Sequence, residues 1–269
     1  MSKTLSGRIE LHKAENAPFP RLSRDVIVYL PPSYDGLPGW RFPVLYMHDG
    51  QNLFDAATAF AGNHWRLDEV AEELVQASQI EPLIIVGIYH AGQKRIAEYT
   101  HVKDGAGQGG RARFYGKLLI EDLKPYIDRE YRTRPDAANT GLGGSSLGGL
   151  VTLYLGLRFP EIFGKLIVMS PSIWWANQAI LKQVKRFSKK LKQRIWLDTG
   201  TCEGRNPVES VKDASTLRQA LVSKGWRLGH DLAYMEDEGA EHNETAWGAR
   251  MRDALKFLFP PTGRVRRPE

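Results

Sequence analysis

A single cysteine, Cys202, stands in the sequence, so an internal disulfide is excluded. No apolar run approaches the ~20 residues that a membrane-spanning helix needs. The start, Met1-Ser2-Lys3-Thr4-Leu5-Ser6-Gly7-Arg8, lacks the apolar stretch of an export signal. A soluble, cytoplasmic protein is expected. The seven histidines show no His-Glu-x-x-His or similar ligand spacing, so neither a metal nor another cofactor is expected. Internal repeats, low-complexity tracts and an interdomain linker are also missing. What remains is an ordinary globular composition over 269 residues, 42% hydrophobic and 25% charged. A chain of this size can bury roughly three quarters of its surface, and one domain over residues 1–269 is expected.

Acidic residues are missing between Phe163 and Leu197, where eight basic ones stand: Lys165, Lys182, Lys185, Arg186, Lys189, Lys190, Lys192 and Arg194. That stretch alone exceeds the net charge of +6. It shows no regularly interleaved aromatics and no helix-turn-helix, zinc-finger or ribonucleoprotein pattern. A solvated helix face is therefore expected, with no nucleic-acid partner. The basic residues 264–267 read as a frayed tail.

Apolar runs with strand character alternate with helix-period segments, which predicts an α/β sheet with helices on both faces. The strand candidates are 8–13, 25–30, 43–48, 82–88, 140–144, 165–170, 194–199 and 229–235. Residues 82–88 and 165–169 are continuously apolar, as strands covered on both faces should be. The first two alternate more and resemble an antiparallel edge. Leu67, Val70, Ala71, Leu74 and Val75 fall at helical spacing, as do Trp247, Met251, Leu255 and Leu258. Residues 147–159 are apolar almost all round until Pro160 stops them, so that helix must be buried. Loops are signalled at 34–39, 104–110 and 200–207, the second glycine-rich and read as a loose surface loop.

Gly144-Ser145-Ser146-Leu147-Gly148 lies between a predicted strand and that buried helix. This is the Gly-x-Ser-x-Gly nucleophile elbow, which holds Ser146 in a strained turn with its hydroxyl above the sheet. Glycines two before and two after are expected because a Cβ there would meet neighbouring backbone. A dinucleotide fingerprint from Gly141 and Gly143 would want glycine at 146, and a P-loop ending at Gly149 would want lysine at 150. The chain has Ser146 and Leu150. The helix starts directly after the serine, so the Leu147 N–H is a candidate oxyanion donor.

A serine hydroxyl needs a base, and the base an orienting carboxylate, in the chain order serine, acid, histidine. Only His230 and His242 follow Ser146. His230 falls at the start of a predicted strand, whereas His242 lies in the loop Gly239-Ala-Glu-His-Asn243 between the last strand and the last helix. His242 is the expected base. Asp198 and Glu203 compete as the acid. Glu203, in the loop, bends back over the sheet edge more easily, which leaves Asp198 a structural hydrogen-bonding role. Cys202 is expected to be an inert small hydrophobe. The second oxyanion donor should follow strand 43–48, where Gly50 permits a sharp turn and the Gln51 N–H is the candidate. His48 and Asp49 are expected to be structural. Asn52, Trp65, Tyr89, His90, Arg95, Glu98, Tyr99, Trp174 and Trp175 are candidates for the substrate pocket. Arg95 either pairs with Glu98 or clamps an anionic group.

These residues bring out a resemblance covering most of the chain. Val44-Leu-Tyr-Met-His-Asp-Gly-Gln-Asn-Leu-Phe54, Val86-Gly-Ile88 with Arg95-Ile-Ala-Glu-Tyr-Thr100, Gly144-Ser-Ser-Leu-Gly-Gly-Leu150, Ser170-Pro-Ser-Ile-Trp-Trp175 and Glu241-His-Asn-Glu244 are similar to the putative-esterase group of α/β-hydrolases. The group includes enterochelin and bacillibactin esterases, feruloyl and acetylxylan esterases, S-formylglutathione hydrolases and mycolyltransferases. The trilactone-siderophore branch looks closest. The resemblance implies an α/β-hydrolase fold with a mostly parallel eight-stranded sheet. It also implies a serine esterase with Ser146, His242 and Glu203 as triad and a small-molecule ester as its partner. Gly200-Thr-Cys-Glu203 matches the group's Gly-Thr-x-Asp/Glu step, with glutamate where many relatives have aspartate. Asp49-Gly-Gln51 matches its oxyanion step. The shared mechanism does not choose the ester, whether siderophore lactone, acylated sugar or thioester. An acyltransferase would use the same triad, and a non-catalytic binding module would lack a member of it. Oligomeric state stays open.

Overall fold

A computed structural model of the chain describes residues 7–16, 19, 21–186 and 190–261. Lys189 and the basic residues 264–267 lie outside the described residues, as do residues 1–6. Eight strands form one sheet: β1 Arg8–His12, β2 Val26–Leu30, β3 Val44–His48, β4 Ile84–Ile88, β5 Thr140–Ser145, β6 Lys165–Met169, β7 Arg194–Gly200 and β8 Leu232–Asp237. Their order is β1-β2-β4-β3-β5-β6-β7-β8. β2 pairs antiparallel with both β1 and β4 at one edge, and every other neighbouring pair is parallel. This is the mostly parallel, eight-stranded α/β-hydrolase arrangement that the family resemblance implies.

Side-chain alternation explains why the inner strands read as unbroken apolar runs. In β3, Val44 and Tyr46 enter one core, while Leu45 and Met47 enter the other on the opposite face. The second core is closed by the amphipathic helices Leu67–Gln76 and Glu244–Leu258. The helix Leu147–Arg158 runs through the first with ten of its twelve residues buried, which is why it shows no polar face.

Several local expectations need correction. β8 begins at Leu232, not at 229, because the His230 and Asp231 N–H groups turn back onto the Arg227 carbonyl. The loop at 34–39 overlaps a helical turn, Ser33–Gly36. The glycine-rich loop 104–110 is a hydrogen-bonded turn, since Asp104 Oδ1 accepts from the Ala106 and Gln108 N–H groups at 2.9 and 2.8 Å. Helix Trp175–Arg186 does expose Lys182, Lys185 and Arg186, but Lys165 and Arg194 belong to β6 and β7. Lys165 is buried with its ammonium 4.2 Å from the Phe259 ring centre, and burial draws its pKa down to about 8. The segment Ala112–Leu118 continues through a π-turn, Leu119–Leu123, into Lys124–Glu130. Pro125, which has no N–H, sits at the start of that last helix. Among the described residues no helix is long and apolar enough to cross a membrane. No cluster of three or more His, Cys, Asp or Glu side chains stands ready for a metal there either.

Two features lock the sheet edge that carries the loops. Gly149 packs against β6 so closely that a Cβ would lie 2.6 Å from the Met169 carbonyl oxygen. Asp198, fully buried at the end of β7, accepts the Ser170 N–H at 3.2 Å and the Trp196 indole N–H at 2.6 Å, with Arg250 Nε 3.5 Å away. Burial raises its pKa to about 6 against the opposing pull of Arg250. Asp198 is thus the structural residue expected.

Gly149→Ala should cost about 1–3 kcal/mol in urea unfolding because the Met169 backbone must move. Gly148→Ala should cost less, since a Cβ there meets the Asp49 and His48 side chains at 3.3 and 3.4 Å. Asp198 holds its proton more tightly folded than unfolded. Its contribution is therefore full below the ordinary carboxylate pKa and is lost as pH rises through about 6. Asp198→Asn should flatten the stability profile between roughly pH 4 and 6 in chemical denaturation series.

Candidate active site

Ser146 occupies the turn between β5 and its helix with φ 58° and ψ −123°, a conformation that side-chain-bearing residues rarely adopt. Its backbone is fixed on both sides: the N–H donates to the Met169 carbonyl at 3.0 Å, and the carbonyl accepts from Leu150 and Ser172, each at 3.0 Å. Gly144 is tight as expected, with a Cβ 3.0 Å from Gly148 backbone, but Gly148 itself faces side chains. The backbone collision falls one residue later, at Gly149. Ser146 Oγ lies 3.3 Å from Ser172 Oγ. It makes no hydrogen bond to His242 in this structure.

His242 Nδ1 meets Glu203 Oε2 at 3.0 Å. The imidazole side chain is 36% exposed, and the Trp247 ring stands edge-on to it at 4.8 Å. The two loops meet because they are stapled. Cys202 N–H donates to the Ala240 carbonyl at 3.0 Å and Gly239 N–H to Thr201 Oγ1 at 2.8 Å. Gly200 permits the approach, since a Cβ there would sit 2.3 Å from the Ala240 carbonyl oxygen. Glu203 turns inward and is buried, which leaves Cys202 exposed instead of packed as a small hydrophobe.

Glu203 Oε1 accepts from Ser170 Oγ and, at 2.7 Å, from the Gly200 N–H. Ser170 Oγ in turn accepts from Trp247 Nε1 and Arg250 Nη2, both at 2.9 Å, and Arg250 Nη2 reaches Glu203 Oε1 at 3.4 Å. Burial works to raise the Glu203 carboxyl pKa, but hydrogen bonds from His242, Ser170 and Gly200 outweigh it and hold the group below its ordinary range. Ser170, Ser172 and Arg250 are missing from the sequence-based assignment. Arg250 carries a visible signal, a cation set inside the apolar stripe of Trp247, Met251 and Ala254.

Strand β3 is followed by Asp49, itself left-handed at φ 55°, and then by the 3-10 turn Gly50–Asn52. A Cβ on Gly50 would lie 2.3 Å from Gly87 backbone, so only glycine lets the turn rest on β4. Gln51 N–H and Leu147 N–H both stand near the start of a helical turn, where no intrahelical acceptor is available. Ser146, His242 and Gln51 border one cleft of about 380 Å³, with Asn52, Phe60 and His90 on its walls. A second lobe of about 270 Å³ adjoins the other side of His242, lined by Ser172, Trp174, Glu203 and Arg205.

The proposed pocket residues divide. Trp174 is 62% exposed in the second lobe. Asn52 borders the first but braces the loops, donating to Glu244 Oε1 at 3.2 Å and accepting from the Phe60 N–H at 3.0 Å. Five of the nine, Trp65, Tyr89, Glu98, Tyr99 and Trp175, fall outside both lobes. Trp65 is 3% exposed and packs on Trp247, Trp175 is buried with its indole N–H on the Val102 carbonyl at 2.8 Å, and Tyr89 is drawn toward β2 by the Asp25 carbonyl. Arg95 does not pair with Glu98. It forms a bidentate bridge to Asp49, both contacts at 2.8 Å, while the buried Glu98 binds Arg24 at 2.8 and 3.0 Å. Tyr99 is fully buried. His48, as expected, is structural: it contacts the Tyr115 hydroxyl at 2.9 Å, and burial draws its pKa down to about 3, so the ring is neutral. His230 is exposed beside Arg227, outside the site.

The family model described as Putative esterase matches residues 21–258. Bacillus subtilis YbbA, an uncharacterized protein, is 27% identical over 95% of this chain and 97% of its own length. The ferri-bacillibactin esterase BesA of Bacillus subtilis is 28% identical over 82% of this chain and 80% of its own. The crystal structure of the BES protein from Bacillus cereus shares the fold, with a TM-score of 0.68 at 20% identity over 96% of this chain and 97% of that one. With a serine elbow at the end of β5 and a match spanning nearly the whole sheet, the chain belongs to the Putative esterase family and is a carboxylic ester hydrolase.

Proposed function

We propose that the chain is a serine esterase of one hydrolase domain that works through an acyl-enzyme on Ser146. The observation that carries this reading is the His242 Nδ1 to Glu203 Oε2 contact at 3.0 Å, made by an imidazole that borders the same cleft as the strained serine. Ser146 Oγ rests on Ser172, and the reaction requires it to turn from there to the imidazole across the shared cleft. Catalytic hydrogen bonds of this kind commonly tighten only with substrate bound.

His242 Nε2 takes the hydroxyl proton as Ser146 Oγ attacks the ester carbonyl carbon. The carbonyl oxygen becomes an oxyanion that accepts from the Gln51 and Leu147 N–H groups. When the carbon–oxygen ester bond breaks, His242 hands its proton to the departing alkoxide, which leaves as the alcohol. Water then attacks the acyl-enzyme, gives a proton to His242, and the carboxylic acid leaves as Ser146 recovers its hydrogen. Glu203, ionised even below the usual carboxylate range, fixes the Nδ1–H tautomer and stabilises the imidazolium. No step calls on a metal or organic cofactor.

Two lobes on either side of His242 suit an ester with bulk on both its acyl and its alcohol sides. A siderophore trilactone or an acylated sugar has that shape, and the likeness to a ferri-bacillibactin esterase favours the lactone. Purified protein offered a ferric trilactone siderophore, a feruloylated sugar and a small thioester should consume the trilactone fastest. A clear preference for either of the others would reassign the substrate.

Ser146→Ala should lower turnover of a p-nitrophenyl ester by about 10⁴-fold or more; retained turnover would remove the acyl-enzyme. Glu203→Gln should lose about 10⁴-fold through the wrong tautomer, with an unchanged circular dichroism spectrum. A Glu203→Gln enzyme as fast as the parent would transfer the acid role elsewhere.

A further inference from the structure

Arg95 borders the nucleophile's cleft, where a free guanidinium would serve as a clamp for an anionic substrate. Its charge is not free. Nε and Nη2 donate to the two Asp49 carboxylate oxygens, both at 2.8 Å, and the guanidinium carbon lies 5.0 Å from the centre of the Tyr99 ring. The same tyrosine accepts the Asp49 N–H on its hydroxyl at 3.2 Å. Asp49 is therefore gripped at both its backbone and its side chain by two residues of one short helix, Arg95–Tyr99.

Asp49 needs that grip. The left-handed region is disfavoured for a residue that carries a Cβ, and the contacts to its backbone and side chain hold Asp49 there. It is also the residue from which the Gly50–Asn52 turn starts, and so it aims the Gln51 N–H. Its carboxylate has a second consequence. A Cβ placed on Gly148 would lie 3.3 Å from Asp49 Oδ2, so this oxygen sits over the first turn of the Ser146 helix, beside Leu147. A carboxylate there would oppose the negative charge that grows on the substrate oxygen, by Coulomb repulsion at short range. The bidentate guanidinium cancels it.

We infer that Arg95 is a positioning residue for the oxyanion site: it locks Asp49 in the left-handed turn that aims Gln51 and neutralises the Asp49 charge beside Leu147. The inference rests on the esterase reading and adds a residue that acts without touching substrate.

Turnover of neutral p-nitrophenyl acetate separates the two. Arg95→Gln should lose about 10²-fold in kcat with KM little changed, as expected when reacting groups are slightly misplaced. Arg95→Gln combined with Asp49→Asn should turn over faster than Arg95→Gln alone, because the uncompensated carboxylate is gone. Added guanidinium ion should raise the kcat of Arg95→Ala. If melting shows that Arg95→Gln does not fold, Arg95→Lys carries the test; it keeps the charge, loses the fork, and should fall between parent and Arg95→Ala. An unchanged kcat, a loss confined to the KM of an anionic ester, or a double variant slower than the single one would overturn the assignment. With Ser146→Ala inactive and Arg95→Gln fully active, only this inference falls. Should Ser146→Ala keep its turnover, the esterase reading falls and takes this one with it.

Discussion

Burying the Glu203 carboxylate is the constraint around which the site is arranged. A buried charge is costly unless every lone pair finds a donor. Here the two oxygens divide the work. Oε1 takes the Ser170 hydroxyl and the Gly200 N–H, with Arg250 behind them, while Oε2 is left for His242. Arg250 comes from the last helix, Ser170 from the end of β6 and Gly200 from the end of β7. The acid is thus tied to three elements before it meets the imidazole. A carboxylate held this way cannot drift with its loop, and the histidine loop stapled to it inherits that order.

Asp49 meets the same difficulty on the other flank of Ser146 and solves it with a guanidinium. Both carboxylates flank the cleft that Ser146 borders, and under the proposed mechanism they do opposite things. Glu203 presents an oxygen toward His242, where positive charge would gather. Asp49 presents its charge where negative charge would gather, and it is covered by Arg95.

The strands were legible in the sequence because parallel strands covered on both faces leave long apolar runs, as in Ile84–Ile88 and Lys165–Met169. The elbow was legible because its glycines, serine and following helix are contiguous. Other features depend on residues far apart in the chain. Nothing local says that Arg95 reaches Asp49 when Glu98 is three positions away, or that Glu98 belongs to Arg24. The facing of Trp65, Tyr89 and Trp175 is decided by packing between elements, which composition does not encode. The helical stretch after Ala112 was hidden by Gly116 and Pro125, which break the periodic signal. The start of β8 was blurred by a turn whose residues look as strand-like as those that follow.

Trp247 joins two of these arrangements. Its indole N–H is anchored on Ser170, and its edge touches the His242 ring. Indole emission depends on what the ring touches, so the chain carries an intrinsic optical gauge of where that histidine stands. The difference in emission between the parent and a Trp247→Phe chain would register any shift of the histidine loop without substrate or label.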